Sequence, residues 1–271
     1  MKARSILIYG ALFLGAFVAV YPFLWMVGAA LKTLPEATTA SLRFWPETPQ
    51  WGNILETFRA APFARYFFNS FFVAGTVCLS VCVTSLMAGY AFARLRFRGS
   101  SILFALTIGS MMVPFEVVFI PNFVLITRLG WYNSYPALIV PWCANAFSIF
   151  LLRQAFLSLP RDYYDAAVVD GCGHLRFLAR VGTPLVKPMV VTVALFAFLG
   201  SYNALLWPLI VTADETRRVV QVGLTAFHSD AGLRLNLLMC ASTVVILPTL
   251  ALYFIAQRYF VESVLGTGIK G

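Results

Sequence analysis

Residues 165–188, DAAVVDGCGHLRFLARVGTPLVKP, form a polar, charge-bearing insert of soluble character between apolar runs, and their reading decides the fold. Ahead of them, FSIFLLRQAFLSLPRDYY reads as the end of an apolar helix carrying Arg153, followed by Pro160 at the start of a new, amphipathic one. Proline suits a first helical turn because its missing N–H is no loss there. Asp162 and Asp165 fall near the N-terminus of that helix, where the macrodipole favours negative charge. The helix is predicted to stop near Gly171 and Gly173, which allow a left-handed or tight turn. A second short helix is expected over about 174–181. The pair would expose a small-residue ridge, Ala166 and Ala167, open to close approach by another protein. Arg176, Arg180 and Lys187 would supply its cationic edges, a shape that fits a partner's groove.

Composition removes most alternatives. Of 271 residues, 60% are hydrophobic, 11% are charged and 25 are Phe, and the mean hydropathy is +0.82; a soluble domain of this length does not look like this. A membrane-crossing helix needs roughly 20 apolar residues to span about 30 Å of hydrocarbon. Such runs lie at about 6–31, 67–93, 102–126, 135–152, 189–212 and 235–256. The polar insert over about 153–188 separates the fourth from the fifth, and little chain remains for a separate domain. The first run, 26 residues with Pro22, Trp25 and Met26 inside it, is too long for a signal-peptide core of roughly 7–15 residues. It is expected to be an uncleaved span.

An even number of spans puts both termini on one side. With the termini inside, the cytoplasmic segments hold twelve Lys and Arg and the outer ones eight, with the cluster RLRFR at 94–98 sharpening the bias. The polar insert is then cytoplasmic. The formal net charge of +9 follows from topology and contact with anionic lipid, not from a nucleic-acid partner. Cys78 and Cys82 share a helix face, but no further Cys or His completes a metal set, so no metal site is expected. His174 and His228 fall on opposite sides of the membrane, and no phosphate-binding Walker loop is present. If ATP drives this protein, another chain binds it.

The order Asp165, Ala166, Ala167, then Asp170 and Gly171, then Pro184, Leu185 and Pro188 resembles the EAA loop of permease subunits of ABC importers. In that loop Glu-Ala-Ala precedes an Asp-Gly and later a Leu-Pro. Two positions depart from it: Asp165 is one methylene shorter than the usual Glu, and Thr183 stands where a Leu precedes the first proline. The stretches at 68–99, 112–135 and 150–160 and the C-terminal QRYFVESVLGTGIKG keep the order and spacing of the smaller membrane subunit of maltose-type carbohydrate importers.

That resemblance implies an all-α integral membrane protein with six transmembrane helices, the type I importer permease fold in a single domain over 1–271, with a cytoplasmic coupling loop. It implies a transport subunit, not an enzyme, in a bacterial or archaeal cytoplasmic membrane. Its implied partners are a second permease subunit, two ATPase subunits and an extracytoplasmic solute-binding protein. ATP and Mg would belong to the ATPase, with no cofactor on this chain. The implied solute is a carbohydrate, with glycerol phosphate or a related sugar-linked solute as the alternative. Asp165, Ala166, Ala167, Asp170 and Gly171 would dock on the ATPase. The tail over 266–271 either reaches toward that interface or is simply flexible.

Within the apolar runs, polar groups need an explanation. Glu116, in MVPFEVVFIP, costs several kcal/mol in hydrocarbon unless paired or wetted; it lines the translocation path or caps and pairs locally near the end of its span. In FLGSYNALLWPL, Ser201, Tyr202 and Asn203 interrupt an apolar helix and Trp207 follows one turn later. Hydroxyl and amide groups beside an aromatic face suit a sugar, while bridging between helices or anchoring at the interface explains the same residues. Asn122 and Asn145 are candidates by the same argument. The outer segment around Trp45 and Trp51 either receives a binding protein or belongs to an aromatic belt. A stand-alone secondary transporter would need several intramembrane charges, of which Glu116 is the clear single case, and would leave the polar insert without a purpose.

Overall fold

The computed structural model describes residues 2–39, 43–229 and 232–268. The main helices are α1 (Lys2–Ala30), α2 (Gly52–Ala60), α3 (Phe63–Arg94), α4 (Ser100–Ser110), α5 (Phe115–Arg128), α6 (Tyr135–Ile139), α7 (Ala146–Ser158), α8 (Asp162–Val169), α9 (His174–Phe177), α10 (Lys187–Tyr202), α11 (Leu206–Val211) and α12 (Leu235–Gly268). Among the described residues the only strands are β1 (His228–Ser229) and β2 (Gly232–Leu233), an antiparallel pair. Ser5–Ala30, Phe63–Arg94 and Leu235–Gln257 are long and apolar enough to cross a membrane, and three bent helix pairs would bring the total to six if each is one span.

The bends depart from the straight runs predicted above. The run over 102–126 is two helices, α4 and α5, set at 97°. Pro114 stands at the corner with an extended ψ of 141°; it has no N–H to offer the α4 ladder, and it disfavours helix at the residue before it. The run over 135–152 bends by 41° between Trp142 and Ala146. The run over 189–212 stops at Tyr202 and restarts at Leu206, and α10 meets the segment His174–Leu185 at 87°. The tail over 266–271, expected either to reach toward the ATPase interface or to be flexible, continues α12 through Gly268; residues 269–271 lie outside the described residues.

The chain divides into two compact units, one built from the residues up to Ala64 with Val220–Leu250, the other from Arg65–Val219 with the residues from Ala251 onward. In the first, the last carbonyls of a helix need partners outside its own ladder, and Asn53 supplies one at the end of α1, its amide donating to Ala30 O at 2.8 Å and to Lys32 O just beyond the helix at 2.9 Å. Lys32 is buried and donates to Arg43 O at 2.6 Å. Gly28 passes so close to Phe44 that a Cβ would lie 2.3 Å from its carbonyl oxygen. Phe63 stacks on Phe227 with ring centres 5.9 Å apart.

In the second unit α3 and α7 cross at Gly89, where a Cβ would lie 2.9 Å from Arg153 N and 3.0 Å from Leu152 Cβ. Small residues permit such close backbone approach between membrane helices. Arg94, from the RLRFR cluster, ends α7 by donating to Phe156 O at 2.8 Å and Leu159 O at 2.6 Å. Arg153 places its guanidinium 4.0 Å from the Phe104 ring centre, a cation–π contact that binds α4 to α7. At the other end of this unit, Asn133 adopts φ 57°. It donates to Asp214 at 2.6 Å and accepts from Ala213 N at 3.0 Å, fixing the loop that follows α11. Hydrogen bonds from Thr216 and then Asn133 hold the Asp214 carboxyl below the usual carboxylate range.

Candidate functional site

The polar insert folds as a helix pair with a defined turn. Asp162 and Asp165 occupy the first turn of α8, as the macrodipole favours. At its other end Gly171 takes φ +72°, Gly171 N bonds to Val168 O at 2.9 Å and Cys172 N to Ala167 O at 2.8 Å. These two bonds are those of a Schellman end, which calls for a left-handed residue at Gly171. The second helix, expected over 174–181, is longer: α9 passes through a π turn at Leu178–Gly182 into a last turn at Thr183–Leu185.

Aromatic packing fixes this pair to the bundle. Tyr164 stacks on His174 at 5.9 Å and meets Phe177 edge-on at 5.3 Å. The Tyr90 hydroxyl of α3 lies 3.0 Å from His174 Nδ1, and the Tyr164 hydroxyl 3.3 Å from the same atom. Tyr90 also meets Phe156 of α7 edge-on at 5.6 Å. Gly182 leaves just enough room, since a Cβ there would approach Phe156 and Phe177 to 3.2 and 3.3 Å.

Of the residues singled out in the insert, Asp165, Ala166, Asp170 and Gly171 are exposed, as are Arg176, Arg180 and Lys187. Ala167 is not: it is buried under the helix pair, so the expected ridge of two alanines reduces to Ala166. The surface instead carries apolar groups that the sequence reading missed, Val168, Val169 and Leu175, the last two exposed by 87% and 73%. Helical spacing held the clue. With Tyr164 and Ala167 turned inward at i and i+3, Val169 at i+5 falls on the opposite face.

A second feature lies where two helices are interrupted. A cavity of about 310 Å³ opens between the break preceding α7 and the break following α10, and Trp142, Asn145, Phe147, Ser201 and Trp207 are among its walls. Asn145 caps α7, its Oδ1 accepting from Ser148 N at 2.9 Å and Ser148 Oγ at 3.0 Å. Trp207 is buried and donates from Nε1 to Ala137 O at 2.9 Å. Trp142 meets Trp207 edge-on at 6.2 Å, Phe115 packs on Trp142 at 5.4 Å and Phe119 on Trp207 at 5.9 Å.

The cavity therefore joins two of the six predicted pathway residues, Asn145 and Trp207. Glu116 is exposed in the first turn of α5 and Asn122 is half-buried one to two turns on. Tyr202 is buried beside Phe198 and Phe71, with ring centres 5.8 Å away in each case, and Asn203 is exposed at the end of α10. These four do not line the cavity. Trp142 and Phe147 do, and their signal was VPWCANAF, a proline and small residues between aromatics where a helix would break.

A family model described as the binding-protein-dependent transport system inner membrane component matches residues 80–265. The arabinooligosaccharides transport system permease protein AraQ of Halalkalibacterium halodurans is 31% identical over 94% of this chain and 93% of its own length. The lactose transport system permease protein LacG of Rhizobium radiobacter is 29% identical, over 98% and 97%. The sn-glycerol-3-phosphate transport system permease protein UgpE of Yersinia enterocolitica is 28% identical, over 97% and 96%. In structure, the chain is similar to one from a bacterial ABC transporter involved in the import of the acidic polysaccharide alginate, with a TM-score of 0.84, 21% sequence identity and coverage of 96% and 98%.

Proposed function

Because the chain belongs to the family of binding-protein-dependent transport system inner membrane components, we propose that it is the membrane-spanning permease subunit of an ATP-driven importer for a carbohydrate. Relatives named for arabinooligosaccharide and lactose transport support the solute class, and the glycerol phosphate relative keeps a sugar-linked anion as the alternative. The observation that carries the mechanism is the exposed, apolar-tipped helix pair of α8 and α9, locked to α3 and α7 by Tyr90, His174, Phe156 and Phe177.

A permease must turn closure of an ATPase dimer into a change of packing within the membrane, and that requires a stiff joint between the two. Val169, Leu175 and Ala166 would enter a groove on the ATPase, with Asp165 and Asp170 meeting its basic groups and the Gly171 turn setting the angle of the pair. Displacement of the pair would pass through His174 to Tyr90 and through the carbonyls held by Arg94 to α7. Six spans follow if each bent pair crosses once, with both termini and the helix pair in the cytoplasm. A second permease subunit would complete the path, two ATPase subunits would carry ATP and Mg, this chain would hold no cofactor, and a solute-binding protein would deliver the sugar from outside.

The test is purification from cells expressing the neighbouring transport genes, followed by reconstitution with the binding protein inside and outside defined vesicles. Recovery of an ATPase and a second permease with this chain, and uptake that requires ATP, are expected. A lone chain that moves solute without ATP would overturn the reading.

A further inference from the structure

Resting on the importer reading above, we infer that the cavity at the two helix breaks is a binding subsite for an uncharged sugar unit, so that this subunit itself touches the solute. Its walls differ in kind. One is aromatic, from Trp142, Phe147 and Trp207. Another is formed by the small residues Ala197, Gly200 and Ser201, at helical spacing on one face of α10 beside Phe196, with Ala204 just beyond its end. Val73, Val77 and Val81 of α3 add an aliphatic side. A Cβ built on Gly200 meets nothing within 4 Å, so the small wall borders open space.

The polar groups are few and available. The Asn145 side-chain oxygen is taken up by Ser148, while its NH₂ and the Ser201 hydroxyl have no partner among the described residues. A sugar presents C–H groups on its faces and hydroxyls at its edge, which match an aromatic wall and a few donors and acceptors. A lipid tail or an apolar partner helix in the same space would leave the Asn145 amide unsatisfied in hydrocarbon.

Charge sets the solute class. None of the residues lining the cavity is charged, so a phosphate or carboxylate there would lose its water without gaining a cation. The volume of about 310 Å³ lies at the small end of the ~300–1,000 Å³ typical of small-molecule sites. The subsite therefore takes a neutral unit of the solute rather than a sugar-linked anion.

The experiment uses the whole reconstituted complex with its binding protein, labelled lactose and arabinotriose as neutral probes and glycerol 3-phosphate as the anionic one. Two variants keep the fold by design. Asn145→Asp preserves the helix cap but replaces the free amide donor by a charge. Gly200→Leu fills the open space. Leu79→Met, on the exposed side of α3, is the control.

Expected is import of a neutral probe by the wild type. KM should rise about three- to tenfold in Asn145→Asp, the scale of one lost hydrogen bond, and import by Gly200→Leu should be near background although the partner permease still co-purifies. Import by both variants at the wild-type KM would overturn the subsite and leave the importer reading standing. Loss of the partner permease from the Gly200→Leu complex would also overturn it, by making the cavity a seat for that subunit. Transport of glycerol 3-phosphate alone would overturn the neutral class. Failure of the wild type to import any probe in an ATP-dependent way would remove the carbohydrate reading on which the subsite rests.

Discussion

The Tyr90 hydroxyl lies 3.0 Å from His174 Nδ1, which joins a membrane-length helix to the exposed pair of α8 and α9. Tyr90→Phe keeps the ring between Phe156 and Phe177 and removes this bond alone. The loss is about 0.5–1.5 kcal/mol, too little to unfold the subunit. Coupling should suffer first: ATP hydrolysis by the assembled complex is expected to continue while solute moved per ATP falls. Unchanged stoichiometry of transport would show that His174 does not carry the motion.

The turn at Gly171 makes a sharper demand. Its φ of +72° is unfavourable for an L-residue by about 1–2 kcal/mol, and the Schellman bonds to Val168 and Ala167 depend on it. Gly171→Leu is expected to reduce both recovery of the ATPase with this chain and solute-stimulated hydrolysis, while membrane insertion stays normal. Gly171→Asn, which tolerates the left-handed region better, should restore part of both. Wild-type assembly and hydrolysis in the Leu variant would remove the turn from the coupling mechanism.

Asp165 separates two roles that its position in the first turn of α8 allows. Asn retains the polar character suited to a helix start but not the charge. If the carboxylate meets a basic group on the ATPase, Asp165→Asn should lower transport about tenfold, the lower end of the range for a close interfacial charge pair, with insertion unaffected. Full transport by that variant would return Asp165 to a helix-starting role.

How much of this was readable from the residues depends on whether a local rule or a packing partner decides them. The Gly171 turn was legible, because a left-handed helix end calls for glycine wherever it lies. The burial of Ala167 and the exposure of Leu175 were not, since they follow from how α8 and α9 pack through Tyr164, His174 and Phe177, a placement that is tertiary; once Ala167 is known to face in, helical spacing turns Val169 out. The corner at Pro114 had its proline in view, yet the 97° angle is set by how α4 and α5 pack. Asn145 and Trp207 were noticed as polar or aromatic groups in apolar helices. Only the two breaks bring them to one cavity with Trp142, while Tyr202, noticed for the same reason, turns into packing with Phe71 and Phe198.

The loop after α11 should respond to acid. Asp214 accepts from the Thr216 hydroxyl at 2.5 Å, from Asn133 at 2.6 Å and from Thr216 N at 2.9 Å, and its carboxyl is held below the usual range by these bonds, that from the Thr216 hydroxyl foremost. A depressed carboxylate stabilises only while ionised: its contribution is present above the unfolded value of about 3.9 and is lost as pH falls through the lower folded value. Amide exchange at 213 and 216 is therefore expected to stay slow down to about pH 4 and to quicken below it. Asp214→Ala should show fast exchange already at neutral pH. Identical exchange in the variant and the wild type would mean that Asn133 alone holds the loop.

Of the pathway candidates outside the cavity, Glu116 and Asn203 are the exposed ones. A carboxylate at membrane depth needs water or a partner's polar groups, and Asn203, exposed at the end of α10, can border the same water. If they face a path that opens and closes, single cysteines at 116 and 203, in a background with the five native cysteines replaced, should react with a water-soluble thiol reagent. The rates should change several-fold when the complex is trapped with vanadate. Position 79, on an exposed apolar stretch of α3, should stay unlabelled in every state because it would face lipid. Labelling at 116 and 203 that ignores the nucleotide state, or that is absent throughout, would make both residues contacts between helices, and the moving part of the path would then lie elsewhere in the complex.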